Sequence, residues 1–307
     1  MSLRDFPVKL CVTKKIAQPC LPSGREHREP RRSAERIYID SALISNFVKN
    51  IQMEVFICEN VFVPLRSGPS HKSEMLSQIL FGEKYTITGQ SGHWYKIETI
   101  FDHYTGWIDI NHLQQSEDRD GLTGMVLNRS LLCFKNDKTR LVLEAGCEIY
   151  DPDYENKVFS VGANKYGTCS DFSYQYVTIG ESIADTSMRF INSPYVWGGR
   201  IPSGIDCSGF VQLVYKIRGT DIPRDSWQQA ASGESINFIE EAIPGDLVFF
   251  DNDSGRISHV GMILSKGLVI HASGRVRIDT IDHQGIYKNE IKGYSHKLRT
   301  IRRILNK

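Results

Sequence analysis

Three side chains of this 307-residue sequence have the types and spacing for nucleophilic catalysis: Cys207, His259 and His271. The thiol stands in "YVWGGRIPSGIDCSGFVQLVYKI", at the seam between a Gly- and Pro-containing loop and an apolar run. In that run Phe210, Leu213, Val214 and Ile217 fall at i, i+3, i+4 and i+7, which predicts an amphipathic helix ended by Gly219. Asp206 is a good N-cap immediately before the cysteine. A cysteine in a first helical turn meets free backbone N–H groups and the positive end of the helix dipole, so the expectation is a lowered pKa and an available thiolate.

A sulfur nucleophile needs a base, and the base needs orienting. "SHVGMILSKGLVIHAS" reads as a hairpin turning at Ser265–Gly267. It sets His259 and His271 within a residue or so of opposite one another, where facing residues lie about 5 Å apart. His259 as base and His271 as its orienter make a workable Cys-His-His triad. A zinc ion on the same three residues is the weaker alternative, because no second cysteine or Glu-bearing motif accompanies them. "WGGRIPSG" is not a phosphate loop, since no G-K-[ST] follows.

The elements that must position these groups fall into four stretches. Residues 1–52 contain "SGREHREPRRSAER", polar and unpatterned, and are expected to be a disordered extension; because strand-like patterning starts just after Met53, translation could also begin there. Residues 53–116 carry "EVFICENVFVPLR", "KYTITGQ", "HWYKIETI" and "YTGWIDI", short β-branched and aromatic runs that predict a small barrel. Between them "SEMLSQILFGE" reads as a helical or looped insert closed by Gly82. Residues 117–178 repeat the texture in "GMVLNRSLLCF", "RLVLEAGCEIYD", "KVFSVG" and "QYVTI", so a second barrel is expected. Residues 179–307 open with "ESIADTSMRFIN", where Ala184, Met188 and Ile191 share a helical face and Pro194 follows as a stop. The cysteine helix and then strands, beginning with "GDLVFFD", come next: an α+β domain.

Composition is that of an ordinary globular chain, 40% hydrophobic and 24% charged. The net charge of +1 is uneven: residues 1–52 hold ten Lys/Arg against five Asp/Glu, leaving 27 against 31 in the rest. No basic field for nucleic acid survives there. Seven scattered cysteines without a C-x-x-C argue against a disulfide framework and for a reducing compartment. With no apolar stretch of membrane-spanning length and no leader pattern, a cytoplasmic protein is expected, a monomer, with no membrane partner.

At this point the motifs carry a resemblance. "YVWGGRIPSGIDCSGF", "IPRDSWQQA", "PGDLVFFD", "SHVGMIL" and "VIHASG", in that order over residues 195–275, resemble the NlpC/p60 cysteine peptidases of the cell wall. The resemblance implies a papain-like fold, Cys207 as nucleophile, His259 as base, His271 as third member, and Tyr195 with the Cys207 N–H holding the oxyanion. "YTGWI" after "GHWYKI" resembles the bacterial SH3-like domains found beside such enzymes.

Two SH3-like domains ahead of the catalytic one resemble a narrower group, the γ-D-glutamyl-L-diamino acid endopeptidases of dipeptidyl-peptidase VI type. That likeness implies cleavage after L-Ala-γ-D-Glu in free peptidoglycan stem peptides, with Glu74, Tyr104 and Asp225 meeting the unblocked amine. It also places Arg224 and Ser226 as partners for a substrate carboxylate, with Asp206 and Ser208 beside the nucleophile. No metal or organic cofactor is implied. An N-acetylmuramoyl-L-alanine amidase, an acyltransferase or a silent wall-binding module are the competing readings, and the third peptide residue, lysine or diaminopimelate, stays open.

Overall fold

The computed structural model describes residues 54–113, 124–136, 139–173 and 181–304. The expected N-terminal extension, the start at Met53 and the "QYVTI" strand lie outside the described residues.

The first sheet holds β1 (Val55–Ile57), β2 (Phe62–Arg66), β3 (Met75–Leu80), β4 (Lys84–Ser91), β5 (Trp94–Thr99) and β6 (Thr105–Asp109), in the spatial order β1-β4-β5-β6-β2-β3. Alternate residues point inward: Val63, Leu65, Ile79, Tyr85, Ile97 and Ile108 form its core. The expected helical or looped insert is a strand instead. Its apolar residues could serve either period, and hydrogen-bonded pairing with β2, from Phe62 opposite Leu80 to Arg66 opposite Met75, decides it.

The second sheet holds β7 (Gly124–Val126), β8 (Leu131–Lys135), β9 (Thr139–Leu143), β10 (Glu148–Asp153), β11 (Val158–Val161) and β12 (Asn164–Thr168), in the order β7-β10-β11-β12-β8-β9. Counted within each sheet, both orders read 1-4-5-6-2-3, so the same topology occurs twice. The second core draws on both regions. Phe81, Leu80 and Ile57 of the first region pack with Phe159, Tyr166 and Ile149 of the second, and the Phe81 ring meets Tyr166 edge-on at 5.2 Å.

The third region begins with α1 (Ile183–Met188), closed at its N-terminus by a Ser182–Asp185 capping box. This helix is shorter than its pattern implied: Ala184 is buried, but Met188 and Ile191 are 40% and 36% exposed. A short ribbon, β13 (Arg200–Ile201) with β14 (Gly204–Ile205), precedes α2 (Cys207–Ile217), whose residues are all buried. The helix α3 (Ser226–Gln229) follows.

The remaining strands are β15 (Glu234–Ile236), β16 (Leu247–Asp251), β17 (Ile257–Ser265), β18 (Leu268–Ser273), β19 (Arg275–Ile281), β20 (Gly285–Lys288) and β21 (Gly293–Arg303). They order as β15-β21-β16-β17-β18-β19-β20, and β20 also pairs with β21, so the sheet closes on itself. Phe210, Leu213 and Val214 of α2 pack on Val260, Met262 and Ile270 in one core. Phe250, Ile263 and Val269 belong to a separate core.

Three regions meet around one buried ammonium, Lys216, and its partner Glu83. Glu83, 1% exposed, takes a bidentate pair from Arg200 at 2.8 Å each and the Lys216 ammonium at 2.6 Å. Lys216 also reaches Glu148 at 2.7 Å and the Gly146 carbonyl at 3.1 Å in the second sheet. Burial opposes the Glu83 charge, but Arg200 and Lys216 outweigh it and hold the carboxyl at about 2.

Candidate active site

Cys207 opens α2, and Asp206 caps that helix by accepting the Gly209 N–H at 2.7 Å. Cys207 packs in one core with Val260, the residue after His259 on β17. The thiol is 6% exposed, and burial, with the Asp206 carboxylate second, pushes its pKa up to about 12. The expected thiolate is therefore corrected. The positive potential of the helix end is already claimed by Asp206, one residue earlier, and little water remains to solvate a sulfur anion.

His259 and His271 do come together, though on a diagonal. His271 faces Gly261 directly across β17 and β18, and His259 lies two residues along on the same face. Gly261 makes this geometry available. A Cβ there would lie 2.7 Å from Val269 Cγ2 and 3.0 Å from His271 Cβ, so glycine leaves His271 free to lean toward its partner. His259 Nε2 and His271 Nδ1 are 2.8 Å apart.

The relay has a fourth member that the sequence reading missed. His271 Nε2 lies 2.9 Å from Asp279 Oδ2, and Arg277 holds the other carboxylate oxygen at 2.6 Å. Burial would raise the Asp279 carboxyl, yet the His271 and Arg277 hydrogen bonds keep it below its ordinary value. An ionised carboxylate only accepts, so His271 Nε2 must carry the proton. His271 Nδ1 then accepts from His259 Nε2–H, which leaves His259 Nδ1 as the basic nitrogen. Burial, then the neighbouring His271 and His296, hold His259 well below its ordinary pKa, so the imidazole is neutral. The signal for Asp279 was available: His271 faces Arg277 across the turn, and Asp279 is the next residue on that face.

A second missed residue is His296 on β21. Its ring stacks on His259 with centroids 4.2 Å apart and 27° between planes, while Phe250 touches His259 at 5.7 Å.

Cys207 opens into a cleft of about 410 Å³ that Tyr104, Trp197, Asp225 and Ser226 also line. Gly198 shapes the near wall: its φ is +76°, and a Cβ would lie 2.4 Å from the Met75 carbonyl, so the loop can press against the first barrel only without a side chain. Tyr104 donates from that barrel to Asp225 Oδ1 at 3.1 Å and Oδ2 at 3.3 Å. Glu74 accepts from Trp197 Nε1 at 2.7 Å. Trp197 and Trp227 stand 59% and 62% exposed on the cleft, aromatic walls that the sequence reading did not assign.

Tyr195 is half-buried against the core that holds Cys207, and burial first, then Cys207 and Asp206, raises its phenol. Ser208 donates to Asp206 at 3.3 Å and accepts from Arg224 at 2.8 Å. Arg224 departs from its expected role. It is 1% exposed, its fork closes on Asp206 at 2.6 and 3.0 Å, and its Nε donates to Ser77 of the first barrel at 3.1 Å. The guanidinium braces the N-cap instead of waiting for a substrate carboxylate.

Similarity to known proteins follows these boundaries. Residues 192–294 match the NlpC/P60 family and residues 61–114 the bacterial SH3 domain. The chain is 29% identical over 224 residues to the gamma-D-glutamyl-L-lysine dipeptidyl-peptidase of Bacillus subtilis, covering 67% of this chain and 75% of that protein. It is 30% identical over 128 residues to dipeptidyl-peptidase 6 of Lysinibacillus sphaericus, covering 40% of this chain and 44% of that one. The crystal structure of an NlpC/P60 family protein from Bacillus cereus superposes with a TM-score of 0.69 at 20% identity, over 82% of this chain and all of that one, a likeness of fold.

Proposed function

We propose that this protein, a cysteine peptidase of the NlpC/P60 family with a bacterial SH3 domain ahead of its catalytic domain, hydrolyses the γ-D-glutamyl-L-diamino acid bond of free peptidoglycan stem peptides. The observation that carries this reading is the Tyr104–Asp225 contact across the domain boundary. It closes one end of the cysteine's cleft with a carboxylate, and Glu74 adds another beside Trp197. A cationic peptide amine is the natural occupant of such an end, because charge-assisted hydrogen bonds are the stronger kind. A glycan linked through that nitrogen would make it an uncharged amide and remove the cation that the carboxylates bind. The name of the Bacillus subtilis relative points to the same bond.

Cys207 starts as a neutral thiol. As its sulfur attacks the γ-carbonyl carbon of D-Glu, its proton passes to His259 Nδ1, and the C=O electron pair moves to an oxygen held by the Tyr195 hydroxyl and the Cys207 N–H. Collapse of this intermediate expels the diamino acid's α-amine, which takes the proton from His259. Water then gives a proton to His259 as its oxygen attacks the thioester carbonyl; the C–S bond breaks, L-Ala-γ-D-Glu leaves, and His259 returns the proton to the Cys207 sulfur. His271 and Asp279 hold the imidazole in the tautomer that both steps need. The reaction suits recycling of wall fragments, and we place it in the cytoplasm.

The test is product analysis by mass spectrometry on L-Ala-γ-D-Glu-diamino acid peptides, free, N-acetylated and glycan-linked. Free peptides should yield L-Ala-γ-D-Glu, the two blocked forms should be poor substrates, and Cys207→Ala should reduce turnover at least a thousandfold. Cleavage of glycan-linked stems between the sugar and L-Ala, or activity retained in Cys207→Ala, would overturn the reading.

A further inference from the structure

His296 belongs to no part of the relay, yet it covers one face of the base. Its ring lies nearly parallel to that of His259, 4.2 Å between centroids, and meets Phe250 at 5.8 Å and His271 at 5.7 Å. Its Nδ1 is 2.8 Å from Ser295 Oγ, which fixes the ring plane from the far side. Behind it opens a second cleft, of about 840 Å³, lined by His296, His283, Tyr294 and Lys297 among others but not by His259. His259 itself is only 7% exposed.

We propose that His296 is a positioning residue: its ring is the partition between that second cleft and the catalytic base, holding the His259 imidazole in plane for Cys207 and keeping water off its outer face. This proposal rests only on the Cys207–His259 chemistry and not on which peptide is cut.

Several charged and titratable groups bear on the pair. His271 on β18 and Lys288 on β20 face both His259 and His296, and Asp279 on β19 faces His296 and binds His271. Cys207 on α2 shares a core with Val260, the neighbour of His259. Burial, followed by His271 and Lys288, lowers His296 to about 4, so near neutral pH it is an uncharged stacking surface. Its loss would therefore act through solvation. With the partition gone, water reaches the His259 ring, the desolvation that depresses its pKa weakens, and the base becomes protonated at higher pH.

The experiment compares the full-length protein with His296→Ala and His296→Phe. One readout is alkylation of Cys207 by iodoacetamide against pH, followed on the Cys207 peptide by mass spectrometry; the other is the pH profile of peptide hydrolysis. In His296→Ala the acid limb of both profiles should move up by about one pH unit. Its kcat should fall roughly tenfold with KM nearly unchanged, because a loosened base costs the chemical step and not binding. His296→Phe keeps a flat ring and should stay within about threefold of the parent with no shift.

If His296→Ala does not fold, His296→Gln, polar and unable to stack, should show the same upward shift. An unmoved acid limb in His296→Ala or His296→Gln, or an equal shift in His296→Phe, would overturn the partition. Should the tripeptide not be cut by the parent protein, the substrate reading fails, while the alkylation profiles still decide the role of His296.

Discussion

The two small sheets have the same strand order and unequal duties. The first gives the catalytic region side chains at the cleft itself: Tyr104 on Asp225, Glu74 on Trp197 and Ser77 on the Arg224 brace. The second touches that region away from the thiol, through Glu148 and the Gly146 carbonyl on Lys216 and through Glu144 on the Ser203 N–H. Topology alone therefore does not assign function; what differs is which loops face Cys207. The 103–105 segment of the first sheet ends beside Asp225, while the second spends its contacts on the buried junction at Lys216.

The contrast breaks most visibly at Glu83, which ties the first region to Arg200 and to Lys216, where the second region also docks. Glu83→Ala leaves buried Arg200 without a carboxylate and Lys216 with Glu148 alone, and losing one partner of a buried ion pair costs roughly 3–5 kcal/mol. Urea unfolding at neutral pH should show that loss in one transition, since the Glu83–Lys216–Glu148 junction ties the three regions together. The same residue sets an acid response. Its folded pKa of about 2 lies below the ordinary carboxylate value of 4.5, so its stabilisation is complete above the latter and declines as pH falls toward the former. Glu83→Gln should remove that part of the pH dependence. Two separate urea transitions in Glu83→Ala would mean that the regions are independent and the junction is incidental.

A second variant isolates the duty held by the first sheet. Tyr104→Phe removes only the hydroxyl that donates to Asp225. Hydrogen bonds to charged groups contribute about 1.5–3 kcal/mol, so kcat/KM for free-amine peptides should fall roughly ten- to hundredfold. Turnover of N-acetylated peptides should barely move, and stability should stay within about 1 kcal/mol. Equal losses on both substrates would show that Tyr104 shapes the cleft without reading the amine.

Sequence pattern made the catalytic region legible where spacing is local. Asp206 as cap, Phe210, Leu213, Val214 and Ile217 as the buried stripe, and the turn at 265–267 all follow from short-range rules, and the structure has each. It misled where burial overrides local electrostatics. A helix N-terminus favours thiolate only if no carboxylate occupies it first, and Asp206 does. It was silent where strands distant in sequence converge. His296 reaches His259 because β16 pairs with both β17 and β21, Phe250 facing His259 on one side and Leu298, two residues from His296, on the other, which no periodicity announces. The stretch at Met75–Leu80 failed for another reason: apolar residues with few polar interruptions fit both periods, and only the partner strand chooses.

The smallest expected effect is the sharpest check on the second sheet. Glu144 Oε2 accepts the Ser203 N–H at 2.9 Å, and Ser203 lies exposed in the β13–β14 turn, on the loop that leads to Cys207. A solvent-facing hydrogen bond of this kind is replaceable by water, so Glu144→Ala should cost less than about 1 kcal/mol. Because Asp206 is held independently by Arg224, Gly198 and Gly209, the loss should not travel from Ser203 to the cysteine four residues on. kcat/KM for the free peptide should therefore match the parent within about twofold. If Glu144→Ala instead lowers kcat/KM as far as Tyr104→Phe does, the second sheet shares in setting the cleft, and the division of labour between the two look-alike sheets does not hold.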